Sequence, residues 1–392
     1  QIQNNSNNCT FDHCSINVSV TSTSSASIAL VGGTSGTNYS LHGTNLSVLN
    51  CTINGGYDGL AYSGPSGTQS NGLTVDSCQF SNTRYMAMRL IYINQAVLTN
   101  NLVQMRSGIT SGYGTYLYYC SRFNVHHNTY NNLGSYGIYG FQSNFNTNDP
   151  AYIENNFIGG NYQGTGYCYG IGFSTAREVK VYHNSVLVDN NGSGARGFYL
   201  TGSNSTGVDV RNNSFAVTNQ GTAHAFYVVN STYMSTMDYN NYYCDGASLA
   251  YMSGNHNTLA SLQAAFTQFN QNSREGWPNY TSSTDLHTFG AVLSNWATNI
   301  TSVTNDFDYD PRPIPPDPTK DVGADEYVLP PFDVDIWEIV SPLVVTVGSN
   351  PITFTLQNNG SNSVNGTAIT MQYSTDGGTT WQNLTTSMLD GE

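Results

Sequence analysis

Val208-Asp209-Val210-Arg211-Asn212-Asn213-Ser214-Phe215 is the phrase that decides the fold: alternating apolar residues, an Asn pair, then a small residue and an aromatic. With Asn213 as anchor, the frame recurs at Asn184 in VKVYHNSV, Asn156 in AYIENNFI, Asn128 in FNVHHNTY, Asn101 in AVLTNNLV and, more loosely, Asn240 in STMDYNNY. Towards the N-terminus Cys78, Cys51 and Cys9 take the anchor position. From Cys51 onward the anchors are 27, 23, 27, 28, 28, 29 and 27 residues apart. Such a period signals a solenoid, because a unit this small buries a core only by stacking on its neighbours.

The content of each unit selects strands. Val, Ile, Phe and Tyr alternate with period two, helical spacing is absent, and a leucine-rich horseshoe would need more Leu than the chain supplies. A second register lies inside each unit at Gly59-Leu60, Gly114-Thr115, Gly137-Ile138, Gly170-Ile171, Gly197-Phe198 and Ala225-Phe226. Alternation there turns Ile171, Phe173, Phe198, Leu200, Phe226 and Val228 inward. It turns Tyr116, Tyr139, Gly172, Tyr199 and Tyr227 outward, a Tyr column with one gap, at Gly172, expected to open a shallow slot.

The repeats resemble the parallel β-helix family, which implies an inward Asn on each coil stacked on the Asn of the next. The fold expected is all-β: a right-handed single-stranded parallel β-helix followed by a short immunoglobulin-like β-sandwich segment. The hand follows from the preference of parallel crossovers. Residues 1-245 read as coils, with the 42 residues from Cys9 to Cys51 holding either one long coil or two short ones. Within 246-328, Asn257 and Thr258 precede Leu259, Leu262, Ala265, Phe266 and Phe269 at helical spacing, a lid for the open end of the solenoid.

Two phrases close this region, Asp306-Phe307-Asp308-Tyr309-Asp310-Pro311-Arg312-Pro313 and Asp321-Val322-Gly323-Ala324-Asp325-Glu326-Tyr327. They are similar to the closing signature of secreted bacterial β-helix proteins. Carboxylates at Asp306, Asp308 and Asp310 have the spacing of half an EF-hand loop and make a structural calcium site, or at least a tight polar turn, the expectation, with Arg312 pairing to Asp308 or Glu326 as the alternative. No other cofactor is required. Beyond Leu329-Pro330-Pro331, residues 329-392 alternate as Leu343-Val344-Val345, Ile352 to Leu356 and Ala368 to Tyr373. They resemble immunoglobulin-like adhesion modules, and the 61 residues from Phe332 are short for a sandwich, so the chain is expected to continue in a longer protein. Ser374 to Trp381 matches the Asp-box of sialidase propellers, but one copy reads as a hairpin turn.

Charged residues are 9% of the chain, yet 12% is aromatic, including 28 Tyr, which opposes disorder. The net charge of −14 is uneven: up to residue 284 there are 9 basic and 11 acidic residues, and beyond it 2 and 14. No basic patch suits a nucleic acid and no stretch suits membrane insertion. Seven cysteines without a CxxC pair argue against zinc, and Cys51 and Cys78 are expected as free thiols. His127 and His183, each just before an anchor, stand two coils apart, too far to share a metal ion.

The resemblance implies a secreted or cell-surface protein, exported by the type IX route used for large adhesins, with a glycan or another surface protein as partner. Three functions follow: a non-catalytic adhesive or structural rod, a polysaccharide lyase or hydrolase, and a fibre component of a multichain assembly. A lyase needs cations and a base on one face, for which Arg84, Arg89, Arg106 and Arg122 with His126 are the best available set. A hydrolase needs paired carboxylates, and no acidic residues of the coils pair at equivalent positions of adjacent units. The Tyr column Tyr116, Tyr139, Gly172, Tyr199 and Tyr227 is therefore the candidate binding site, for a neutral glycan or a neighbouring subunit.

Overall fold

Each copy of the phrase folds alike. Its alternating residues run along a strand of one sheet, such as Val208–Arg211, and the chain leaves the corner in a second sheet, here Ser214–Val217. The turn takes two residues. The one before the anchor adopts a left-handed backbone in every coil: φ is 55° at His127, 48° at Asn155, 50° at His183 and 61° at Asn212. Asn tolerates that conformation better than most residues, which accounts for the first member of each Asn pair.

The computed structural model describes residues 6–32, 43–65, 67–145, 149–190, 192, 194–341, 352–363, 371–375 and 378–383. Three sheets of nine, ten and ten strands, parallel except for Asn255–His256 at the end of the third, wind into a right-handed β-helix of about eight turns, each coil giving one strand to each sheet in order. Val181, Val210, Phe198, Phe215 and Phe226 fill the interior at 0% exposure. Glycines of the second register admit the second sheet closely: a Cβ on Gly170 would stand 2.2 Å from Val186 Cγ1.

The anchors form one hydrogen-bonded column. Nδ2 of Asn101, Asn128, Asn156, Asn184 and Asn213 donates to Oδ1 of the next anchor at 2.9, 3.0, 2.9, 2.9 and 3.0 Å, ending on Asn240. The same oxygens accept the backbone N–H of the preceding anchor, so these buried turn groups are satisfied. Towards the N-terminus sulfur takes over, with Cys51 N–H donating to Cys78 Sγ and Cys14 N–H to Cys51 Sγ, both at 3.4 Å. Cys14, not Cys9, is thus the first anchor, because Ser15 pairs with Thr52 and the left-handed His13 precedes Cys14 as His127 precedes Asn128. The first coil is one long turn, with Ile28–Gly32 as its third-sheet strand. All seven cysteines are free thiols.

The predicted helix spans Leu259–Ala265, capped by Thr258 and Ser261, and buries Leu259 and Leu262 against the last strands of the third sheet. Arg274–Glu275 then adds a final strand to the second sheet. Residues 276–327 double back over the corner between the first and second sheets. Tyr280 Oη donates to Ser214 Oγ at 2.9 Å, Asn212 Nδ2 to Thr298 O at 2.8 Å, and Asn155 Nδ2 to Asn305 O at 2.9 Å. His127 Nε2 reaches Asp306 O at 2.7 Å, and its ring stacks on Tyr309 at 4.3 Å. Under this cover Phe157, Leu187 and Ala216 of the second sheet pack on Leu286 and Ala324.

The contacts divide the chain into Gln1–Tyr327 and Val328–Glu392. In the second unit Val334–Ser341 pairs antiparallel with Thr353–Asn358, and Gln372–Tyr373 with Gln382–Asn383. The latter is the hairpin expected around the Asp-box, while Leu343-Val344-Val345 lies outside the described residues.

Candidate functional site

The third sheet turns its outer face to solvent, and the Tyr column lies on it in register: Tyr116 opposite Tyr139, Tyr139 opposite Gly172, Gly172 opposite Tyr199 and Tyr199 opposite Tyr227. Arg89 precedes the column and Tyr251 follows it. A second column runs beside it, Tyr113, Tyr136, Tyr169, Arg196 and His224. Parallel strands bring like side chains to within about 4.8 Å along the axis, close enough for rings to touch.

The rings form a continuous platform. Tyr113 and Tyr136 have centroids 4.6 Å apart, Tyr136 and Tyr169 5.0 Å, Tyr169 and Tyr199 4.3 Å, and Tyr227 and Tyr251 4.1 Å. Tyr116 and Tyr139 lie 6.3 Å apart and 3° from parallel. The slot expected at Gly172 is filled: a Cβ there would meet the Tyr139 and Tyr169 rings at 3.0 and 3.1 Å. Gly172 makes room for the second column, a neighbour the single-column reading left out. Burial raises the Tyr139 phenol to about 12, so this ring is uncharged at neutral pH.

Asp58 is the only carboxylate in the ten strands of this sheet. It is 1% exposed and pairs with Arg89 at 2.9 Å, and burial lifts its pKa to about 6 against the opposing pull of Arg89. The lyase set does not assemble. Arg84 and Arg106 sit at the corner between the second and third sheets, where Arg106 donates to Gly56 O and Ser22 O. Arg89 lies on the third sheet, and Arg122 at the next corner binds Asn94 and Asp149. His126 is on the first sheet, 2.7 Å from His127. Five groups on two corners and two sheets cannot address one bond.

The three-Asp run does not converge either. Asp306 Oδ1 accepts the N–H groups of Asp308 and Asp310 at 2.9 and 2.8 Å, and Oδ2 that of Glu326 at 2.9 Å, so this buried carboxylate organises a turn. Asp308 turns away to His287 Nε2 at 2.7 Å. With Asp325 these two bring ligand atoms within 4.8 Å of one another, the group best placed for a cation among the described residues. Arg312 pairs with Glu326 in full burial, as the alternative reading has it. Burial pushes Asp321 up to about 8 and Asp325 to about 7.

Fold and face together define a parallel β-solenoid with an aromatic platform on one sheet and a covering segment along the opposite corner. Comparison of the chain with family models, with curated proteins and with solved structures finds no match. No helix among the described residues is long and apolar enough to cross a membrane.

Proposed function

We propose that the chain is a non-catalytic extracellular rod that binds a neutral glycan on the tyrosine platform of its third sheet. The platform carries this reading: stacked, half-buried, uncharged rings suit the apolar faces of sugars and lose little side-chain entropy on binding. A lone, buried, ion-paired carboxylate leaves that sheet without the pair that glycoside hydrolysis needs. Free thiols are unusual in an oxidising exterior, but Cys78, Cys120 and Cys168 have pKa values pushed up to about 12 by burial and, as poor nucleophiles, withstand it. The antiparallel pairs beyond Val328 fit the immunoglobulin-like module of a cell-surface protein.

A glycan array and a polysaccharide cleavage screen on the parent and on a Tyr139→Ala, Tyr199→Ala double variant test the proposal. The parent binds neutral glycans without releasing unsaturated or reducing ends, and the double variant loses binding. Product release by the parent, or unchanged binding in the variant, overturns it.

A further inference from the structure

The second column ends on two residues that are not tyrosine. Arg196 and His224 are in register on neighbouring strands, which sets their side chains side by side on the outer face. Both are nearly closed off from solvent, at 5% and 4% exposure. Rings surround the guanidinium, with Tyr227 at 4.6 Å, Tyr167 at 4.9 Å and Tyr169 at 5.8 Å from its carbon. Nε and Nη1 of Arg196 nonetheless have no hydrogen-bond partner, and neither has Nδ1 of His224. Buried polar atoms without partners are rare enough that each asks for a cause.

The two vacancies are complementary. His224 Nε2 lies 3.1 Å from Asn255 Oδ1, an acceptor, so Nε2 carries the ring proton and Nδ1 presents a lone pair. Burial, then Arg196, holds the imidazole below its usual pKa, against the pull of Asn255. Arg196 is the charged group that faces it, and Tyr227, Tyr251 and Asn255 complete its surroundings. The pair thus offers unpartnered donors on Arg196 and an unpartnered acceptor on the neighbouring His224. A carboxylate or sulfate would satisfy Arg196 but set its oxygens against the Nδ1 lone pair. A hydroxyl accepts from the guanidinium and donates to the imidazole. Beside it lie the stacked Tyr227 and Tyr251, and Tyr167, 52% exposed, stands at the rim.

Resting on the glycan-binding reading above, we infer that the Arg196–His224 corner is the polar subsite of the platform, where one hydroxyl of a neutral sugar bridges Arg196 and His224 while its ring lies on the adjoining tyrosines. The platform supplies area, and this corner fixes position.

Titration calorimetry with neutral hexasaccharides of glucose, mannose and xylose, and with hexagalacturonate as the charged control, tests this on the full chain. At pH 7.5 the parent binds a neutral hexasaccharide, and Arg196→Gln weakens it about tenfold, the loss of roughly one good hydrogen bond. Acidification to pH 4.5 weakens the parent as Nδ1 takes up a proton and ceases to accept. His224→Gln, which does not titrate, loses that pH dependence, and the melting temperature of each protein shows that it is folded. If the parent binds and both variants match it at both pH values, the subsite is overturned while the platform stands. Tighter binding of hexagalacturonate that strengthens on acidification overturns the hydroxyl in favour of an anion. No binding by the parent to any probe overturns the subsite and the platform reading together.

Discussion

Sulfur stands in for an amide at the start of the anchor column by reproducing part of its bonding. Asn128 Nδ2 donates to His126 O and to Leu98 O of the preceding coil, both at 2.9 Å, and its Oδ1 accepts the Asn101 N–H. Cys51 Sγ reaches the equivalent carbonyls, Leu49 O at 3.1 Å and Phe11 O at 3.6 Å, and accepts the Cys14 N–H. One S–H serves two carbonyls where an amide has two N–H bonds. Asn184→Ala removes both roles, orphaning the Asn156 N–H and loosening the hold on Ile153 O, so it is expected to cost about 1 to 3 kcal/mol, and Asn184→Cys less. Denaturant midpoints in that order check it, and an alanine variant as stable as the parent refutes it. Six of the anchors were legible from Asn spacing alone, Asn240 more loosely than the rest. Cys14 was not, because the long first coil breaks the period, and the signal that finds it is the His-Cys step matching His127-Asn128.

At the scale of elements, the covering segment is held through left-handed corner residues, and His127 makes that hold sensitive to pH. Burial, with help from His126, lowers the His127 pKa to about 4, so the folded chain keeps this ring neutral where the unfolded chain protonates near 6.5. The contribution is therefore complete above about pH 6.5 and lost as pH falls towards 4. Asp325 and Glu154, both raised to about 7 by burial, work oppositely and gain as pH falls. His127→Asn keeps a residue suited to the left-handed turn and leaves those carboxylates in place. The parent is expected to lose on the order of 2 kcal/mol relative to this variant between pH 7 and pH 4. Parallel denaturation curves with no difference in that window would show that His127 titrates freely. Sequence located the closing phrases but not their seat. The missed signal lies in the second sheet, whose outward residues change from Thr52 and Gln79 in early coils to Phe157, Leu187 and Ala216 where the segment lies.

Across the Gln1–Tyr327 unit, the same repeat yields two unlike surfaces. One corner is sealed by an acid-rich segment, and the third sheet keeps an open aromatic face. Leu286, 1% exposed among Phe157, Leu187, Ala216 and Ala324, pins the seal. Leu286→Asp buries an unpaired carboxylate there and is expected to cost about 3 kcal/mol or more, releasing residues 276–327 to proteases before the coils. Limited proteolysis with mass spectrometry reads this directly, and cleavage within the coils first would mean that the segment is not the weaker element.

The anchor column also has a direction. Each Asn from Asn101 to Asn213 reaches back to a carbonyl of the coil before it and forward to the oxygen of the coil after it, while Asn240 only reaches back and its N–H ends the series on Ser273 Oγ. A coil added to the C-terminal side therefore finds its carbonyl partners already in place and brings the acceptor that its predecessor lacks. A chain delivered N-terminus first, from a ribosome or through an export pore, can close like a zip, with one open anchor N–H travelling at its tip until Ser273 arrives.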